Sequence, residues 1–81
     1  MTIFFATYGG LGGGNESAEV SVYDIRGRLV RTLVRGEYPA GEQSTTWDGR
    51  NEQGRPVGAG VYFLRAVTGG SAATKKVTVL R

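Results

Sequence analysis

Three oxygen-bearing side chains, Asp48, Asn51 and Glu52, fall within one short polar stretch, Asp48-Gly49-Arg50-Asn51-Glu52-Gln53-Gly54-Arg55-Pro56. Such a cluster is what a hard cation such as calcium takes. The alternation of Asp or Asn in a calcium loop breaks at Arg50, so the expected use is an Asx turn, with Asp48 and Asn51 bonding their own backbone. No metal site is expected. The carboxylates available for acid-base work are Glu16, Glu19, Asp24, Glu37, Glu42, Asp48 and Glu52, most of them beside glycine or in turns. A glycosidase-like pair needs two carboxylates about 5–10 Å apart across a cleft, and a chain of this size has little material for one. There is no histidine and no cysteine, which removes imidazole bases, thiol nucleophiles, disulfides and zinc or iron-sulfur sites built from them. A catalytic role, a cofactor and a small-molecule substrate are therefore not expected.

Two further groups invite a binding role. The run Gly9-Gly10-Leu11-Gly12-Gly13-Gly14 suggests a phosphate loop, but the third glycine of a dinucleotide fingerprint is replaced by Asn15 or Ser17, and no Lys-Ser or Lys-Thr follows. A flexible tether is the better account. Trp47 and Tyr62 could stack on a sugar ring, yet both fall on predicted strands, where a small domain needs large aromatics to fill its centre. Phe4, Tyr8, Tyr23, Tyr38 and Phe63 are better placed to be exposed or partly exposed.

The elements that must position these groups are set by the glycines and prolines. With 81 residues the chain holds one core, burying about 60% of its unfolded surface. Its 14 glycines and 2 prolines leave uninterrupted stretches at 1–8, 15–26, 28–35, 42–48, 61–68 and 71–81. Short segments at even spacing predict an all-β sandwich or barrel. Val20 and Val22, Tyr62 and Leu64, and Val77 and Val79 alternate with polar neighbours and are the expected core. Leu29, Val30, Leu33 and Val34 fit two helical turns as well as a strand; the reading is a strand, bulged to fit. Residues 1–8 form a first strand, 9–14 a flexible loop and 18–81 the body of a single domain. Phe4 and Phe5 face opposite ways on the first strand, so one of them alone enters the core.

Ten Lys and Arg against seven Asp and Glu give a net charge of +3, with no basic run longer than Lys75-Lys76. No specific nucleic-acid partner is expected. The amino terminus lacks a basic n-region, and no segment approaches the roughly 20 apolar residues of a membrane span, so no insertion is expected. Lys75 and Lys76 suit either a basic docking patch or the guarding of an edge strand.

The string Val22-Tyr23-Asp24-Ile25-Arg26-Gly27-Arg28-Leu29-Val30-Arg31-Thr32-Leu33 is followed by Ala40-Gly41, Trp47-Asp48-Gly49, Gly54-Arg55-Pro56-Val57 and Gly60-Val61-Tyr62-Phe63-Leu64. Together, over residues 20–81, they closely resemble the FlgD-type immunoglobulin-like domain. The ending, Thr74-Lys75-Lys76-Val77-Thr78-Val79-Leu80, looks like the related type IX secretion C-terminal sorting domain. The resemblance implies an immunoglobulin or fibronectin type III-like antiparallel β-sandwich of about six to seven strands. It also implies a non-catalytic C-terminal module of a secreted or cell-surface bacterial protein, acting in sorting or attachment. Its export signal would lie outside this chain or at its C-terminal end. By position, the sorting elements fall on Gly60, Tyr62, Lys75, Lys76, Val77 and Val79, with secretion or cell-surface machinery as partner. The glycine run departs from the family's short first turn. That departure supports an alternative in which Ile3, Phe4 and Phe5 exchange strands with copies of the same chain, as a scaffold or assembly subunit. A carbohydrate-binding accessory domain is a further alternative.

Overall fold

A computed structural model of the chain describes residues 1–7 and 14–80. The expected glycine-rich loop at 9–14, save Gly14, and the expected exposure of Tyr8 lie outside the described residues, and Phe4 and Ala6 are described by backbone alone.

Six strands account for most of these residues: β1 (Thr2–Thr7), β2 (Glu16–Tyr23), β3 (Leu29–Tyr38), β4 (Gly41–Thr46), β5 (Gly60–Thr68) and β6 (Ser71–Val79). Each overlaps one of the stretches between glycines, with β3 running on through Gly36 to Tyr38, because β-branched and aromatic residues favour the pleated surface while glycine admits the turns. The strands form two antiparallel sheets, a β1-β4 ribbon and a four-stranded sheet in the order β3-β2-β5-β6. Gly27 (φ 81°) and Gly54 (φ 78°), each three residues after an Asx residue, use a left-handed conformation in which a Cβ would be strained.

The ribbon meets the sheet through side chains of alternating parity. Phe5 packs with Ala18, Val20 and Val34, and Trp47 packs with Val22, Leu64 and Val77; Ile3 and Leu33 touch both groups. Val20 and Val22 are fully buried, and Trp47 is 2% exposed. Of the expected core, Tyr62 and Val79 are half-buried and the rest buried. Phe5 enters the core. Trp47 lies one residue beyond β4, not on a strand, but it exchanges backbone bonds with Met1 and keeps the inward parity of Gln43 and Thr45.

The ambiguous segment is β3, and its pattern has a physical cause. Register slips between Val20 and Ser21 and between Val22 and Tyr23 on β2, so Leu33 and Val30 are the extra residues on the facing strand. Each bulge breaks the period of two and puts neighbouring residues on the same side. Leu33 and Val34 both reach the core, Val30 reaches it too, and Leu29 is left 54% exposed.

Replacing Leu64 with alanine is expected to lower the free energy of unfolding by about 2–5 kcal/mol, measured by urea denaturation. Ile25→Ala, at a turn position 73% exposed, stays within about 0.5 kcal/mol of the parent. Equal effects at the two positions would contradict this assignment of the core.

Candidate functional site

The polar loop after Trp47 is built from its own Asx side chains. Asn51 Oδ1 accepts the N–H groups of Gln53 and Arg55, both at 3.0 Å, while Gly54 N–H donates to Asn51 C=O and Asn51 N–H to Arg55 C=O, both at 2.9 Å. The same arrangement recurs in the β2-β3 hairpin. Asp24 Oδ1 accepts the N–H groups of Arg26 and Arg28 at 2.9 Å, Gly27 N–H donates to Asp24 C=O, and Asp24 N–H donates to Arg28 C=O. Asp24-Ile25-Arg26-Gly27-Arg28 and Asn51-Glu52-Gln53-Gly54-Arg55 are thus two copies of one turn, an Asx residue followed at the third place by glycine and at the fourth by arginine. The shared spacing of Asx, glycine and arginine is the signal for this turn in the sequence.

Asp48 Oδ1 accepts the Arg50 N–H at 3.1 Å and Arg31 Nη1 at 2.8 Å. The Glu52 carboxylate accepts the Thr32 N–H, and Glu52 N–H donates to Val30 C=O at 3.2 Å. The three side chains that suggested a cation therefore turn their oxygens to backbone N–H groups and to an arginine, and the loop lies along β3. In the hairpin, the Arg28 backbone N–H, with help from the Arg26 N–H and the Arg28 guanidinium, holds the Asp24 carboxyl below the usual carboxylate range against a partial desolvation that pulls it up.

Trp47 and Tyr62 form the centre of the next layer. The rings meet edge to face at 5.6 Å, Trp47 Nε1–H donates to Arg50 C=O at 3.0 Å, and the Tyr62 hydroxyl donates to Gly58 C=O at 2.8 Å. The hydroxyl bonding back to backbone four residues upstream has the form of a tyrosine corner. Burial removes Trp47 from any sugar-stacking surface. Tyr38 is half-buried and meets Phe5 edge-on at 5.8 Å.

The residues expected to serve sorting are placed as follows. Gly60 opens β5 opposite Val79, and Tyr62 pairs with Val77. Lys75 and Lys76 pair with Leu64 and Phe63 on the outer strand β6 and are exposed, while Val77 is buried. Ile3, Phe4 and Phe5 pair with Thr45, Ser44 and Gln43 of the same chain. The structure brings Tyr62, Val77 and Val79 into the Trp47 cluster and leaves the lysines at the edge.

Two antiparallel sheets, a buried tryptophan between them and loops fixed by backbone bonds define an immunoglobulin-like all-β domain. The chain matches the FlgD Ig-like domain family over residues 7–72 and belongs to it. It is 37% identical over 62 residues to the basal-body rod modification protein FlgD of Salmonella typhimurium, and equally to that of Salmonella typhi. The match covers 76% of this chain but 26% of each relative's length. No solved structure matches.

These similarities correct the expected sorting or attachment module of a secreted or cell-surface protein, because the relatives are basal-body rod modification proteins. The misleading residues have structural uses: Tyr62 ties its strand to Gly58, Val77 fills the core, and Lys75 and Lys76 lie on an edge strand, where charge discourages pairing.

Two outcomes follow. Tyr62→Phe is expected to cost about 0.5–1.5 kcal/mol in denaturant unfolding with the β spectrum retained, the range of one hydrogen bond. For Asp24, a folded-state pKa below the ordinary 3.8 gives a stabilisation present above that value and lost as pH falls through the lowered one. Asp24→Asn therefore flattens the fall of stability below about pH 4; an unchanged slope would rule out this contribution.

Proposed function

We propose that the chain is a non-catalytic structural domain of a flagellar assembly protein of the basal-body rod modification type. The observation that carries this is the 37% identity over 62 residues to the Salmonella FlgD proteins, together with the family match. Its fold is read as an immunoglobulin or fibronectin type III-like sandwich of six to seven strands. The β3-β2-β5-β6 sheet with the β1-β4 ribbon against it supports this reading.

A domain of this kind acts by presenting rigid surfaces to other proteins. The absence of histidine and cysteine supports a non-enzymatic role, as does the engagement of Asp24, Asp48 and Glu52 by backbone N–H groups. Its partners are then proteins of the rod assembly or copies of the chain itself, not a small-molecule substrate or a nucleic acid.

The test is a chimera of the Salmonella typhimurium protein in which the matching segment is replaced by this chain. Expected is a stable chimera that restores basal-body completion and swimming to a strain lacking the native protein. A chimera that accumulates folded and leaves the cells without flagella contradicts the reading.

A further inference from the structure

Four strand edges lie at the rims of the two sheets, and they differ in how they are protected. On β3, Arg31, Arg35 and Glu37 add charge, two bulges distort the edge, and Glu52 bonds the backbone of Val30 and Thr32. Lys75 and Lys76 stand on β6, and Glu42 on β4. The remaining edge, on β1, reads Thr2-Ile3-Phe4-Phe5-Ala6-Thr7, with no charge, proline, glycine or bulge. Natural sheets rarely leave such an edge open without a use.

The register says which groups that edge offers. Met1 and Trp47 exchange both backbone bonds at 2.9 Å, so Met1, Ile3, Phe5 and Thr7 face β4. Thr2, Phe4 and Ala6 turn their N–H and C=O groups the other way. Among the described residues no strand pairs with them.

That edge also borders an open groove. β1 lies against β5 and β4 against β3, which puts β6 at the border of the ribbon. The result is a groove of about 360 Å³ between β1 and β6, with Ile3, Leu64 and Val77 in its lining and Lys75 and Thr78 on its β6 side. Lys75 pairs with buried Leu64, so it lies on the inward-facing parity of β6, yet it is exposed and has no carboxylate partner among the described residues.

We propose that the free edge of β1 receives an extended segment of a partner protein that bears a carboxylate. The segment pairs with the backbone of Thr2, Phe4 and Ala6, lies over the groove beside half-buried Ile3, and sets its carboxylate on Lys75. Strand addition of this kind draws affinity from main-chain bonds and specificity from alternate side chains. Lys75 supplies the specificity: a strand without an acid would cover an unpaired ammonium, and one with a base would add repulsion. The same charge argues against a second copy as occupant. Antiparallel pairing of two β1 edges about a twofold axis sets the two β6 strands side by side, with Lys75 and Lys76 of both copies at one seam. This inference stands apart from the flagellar reading, since it uses the edge, the groove and the charge alone.

The experiment titrates the chain with two short blocked peptides of alternating valine and threonine, one with a central glutamate and one with a central lysine in its place. Backbone amide NMR shifts are followed. Expected are shifts at Thr2, Phe4 and Ala6 with the glutamate peptide, binding at least about tenfold tighter than the lysine peptide, and inversion of that preference in Lys75→Glu. Binding of neither peptide, equal binding of both, or a β1-dependent dimer of the chain alone in sedimentation would each overturn the proposal.

Discussion

Everything in this domain is arranged around the burial of one indole. A chain of 81 residues has material for a single core, and Trp47 is its largest fully buried side chain. It shares one buried cluster with Val22 of β2, Leu64 of β5 and Val77 of β6, with Ile3, Val30 and Leu33 packed on the same cluster. Its backbone closes the ribbon against Met1, and its N–H fixes the following loop at Arg50. Burying a Trp leaves its polar edge in need of a partner, and the turn at Asp48-Gly49-Arg50 supplies one. The polar loop is thus part of the core's architecture, which is why its acidic side chains face the backbone.

That constraint separates structure from function. The side chains that looked most capable of chemistry, Asp48, Asn51, Glu52, Trp47 and Tyr62, are the ones that hold the fold together. What is left for other molecules is backbone edge and exposed side chain, the usual currency of immunoglobulin-like modules. Membership of the FlgD Ig-like domain family is consistent with that division, and the match covers 26% of the length of the relatives.

The fold was largely legible because glycine and proline mark its strand ends and the core alternates with period two. Val20, Val22, Leu64 and Val77 needed nothing more. At β3 the alternation failed for a reason local sequence does not carry: a bulge exists only relative to a partner strand, so Leu33 and Val30 show their role once β2 lies beside them. Trp47 was readable as core by size, but not as lying past the end of β4. The site was less legible. Gly60, Tyr62 and the two lysines resemble a sorting signal because any sandwich of this build needs an anchored tyrosine and a guarded edge. The repeated Asx turn was present in the spacing of Asp24 with Gly27 and Asn51 with Gly54, and became visible through its hydrogen bonds. The open edge of β1 follows from strand order, which composition does not determine.

The central claim is that the buried tryptophan holds a strand, β1, with one satisfied side facing β4 and one open side. Amide hydrogen exchange along β1 of the free chain at low concentration tests it most directly. The account predicts alternation: slow exchange at Ile3, Phe5 and Thr7, whose amides face β4, and fast exchange at Thr2, Phe4 and Ala6. Uniform protection of all six amides would contradict it, because the edge would then already be covered.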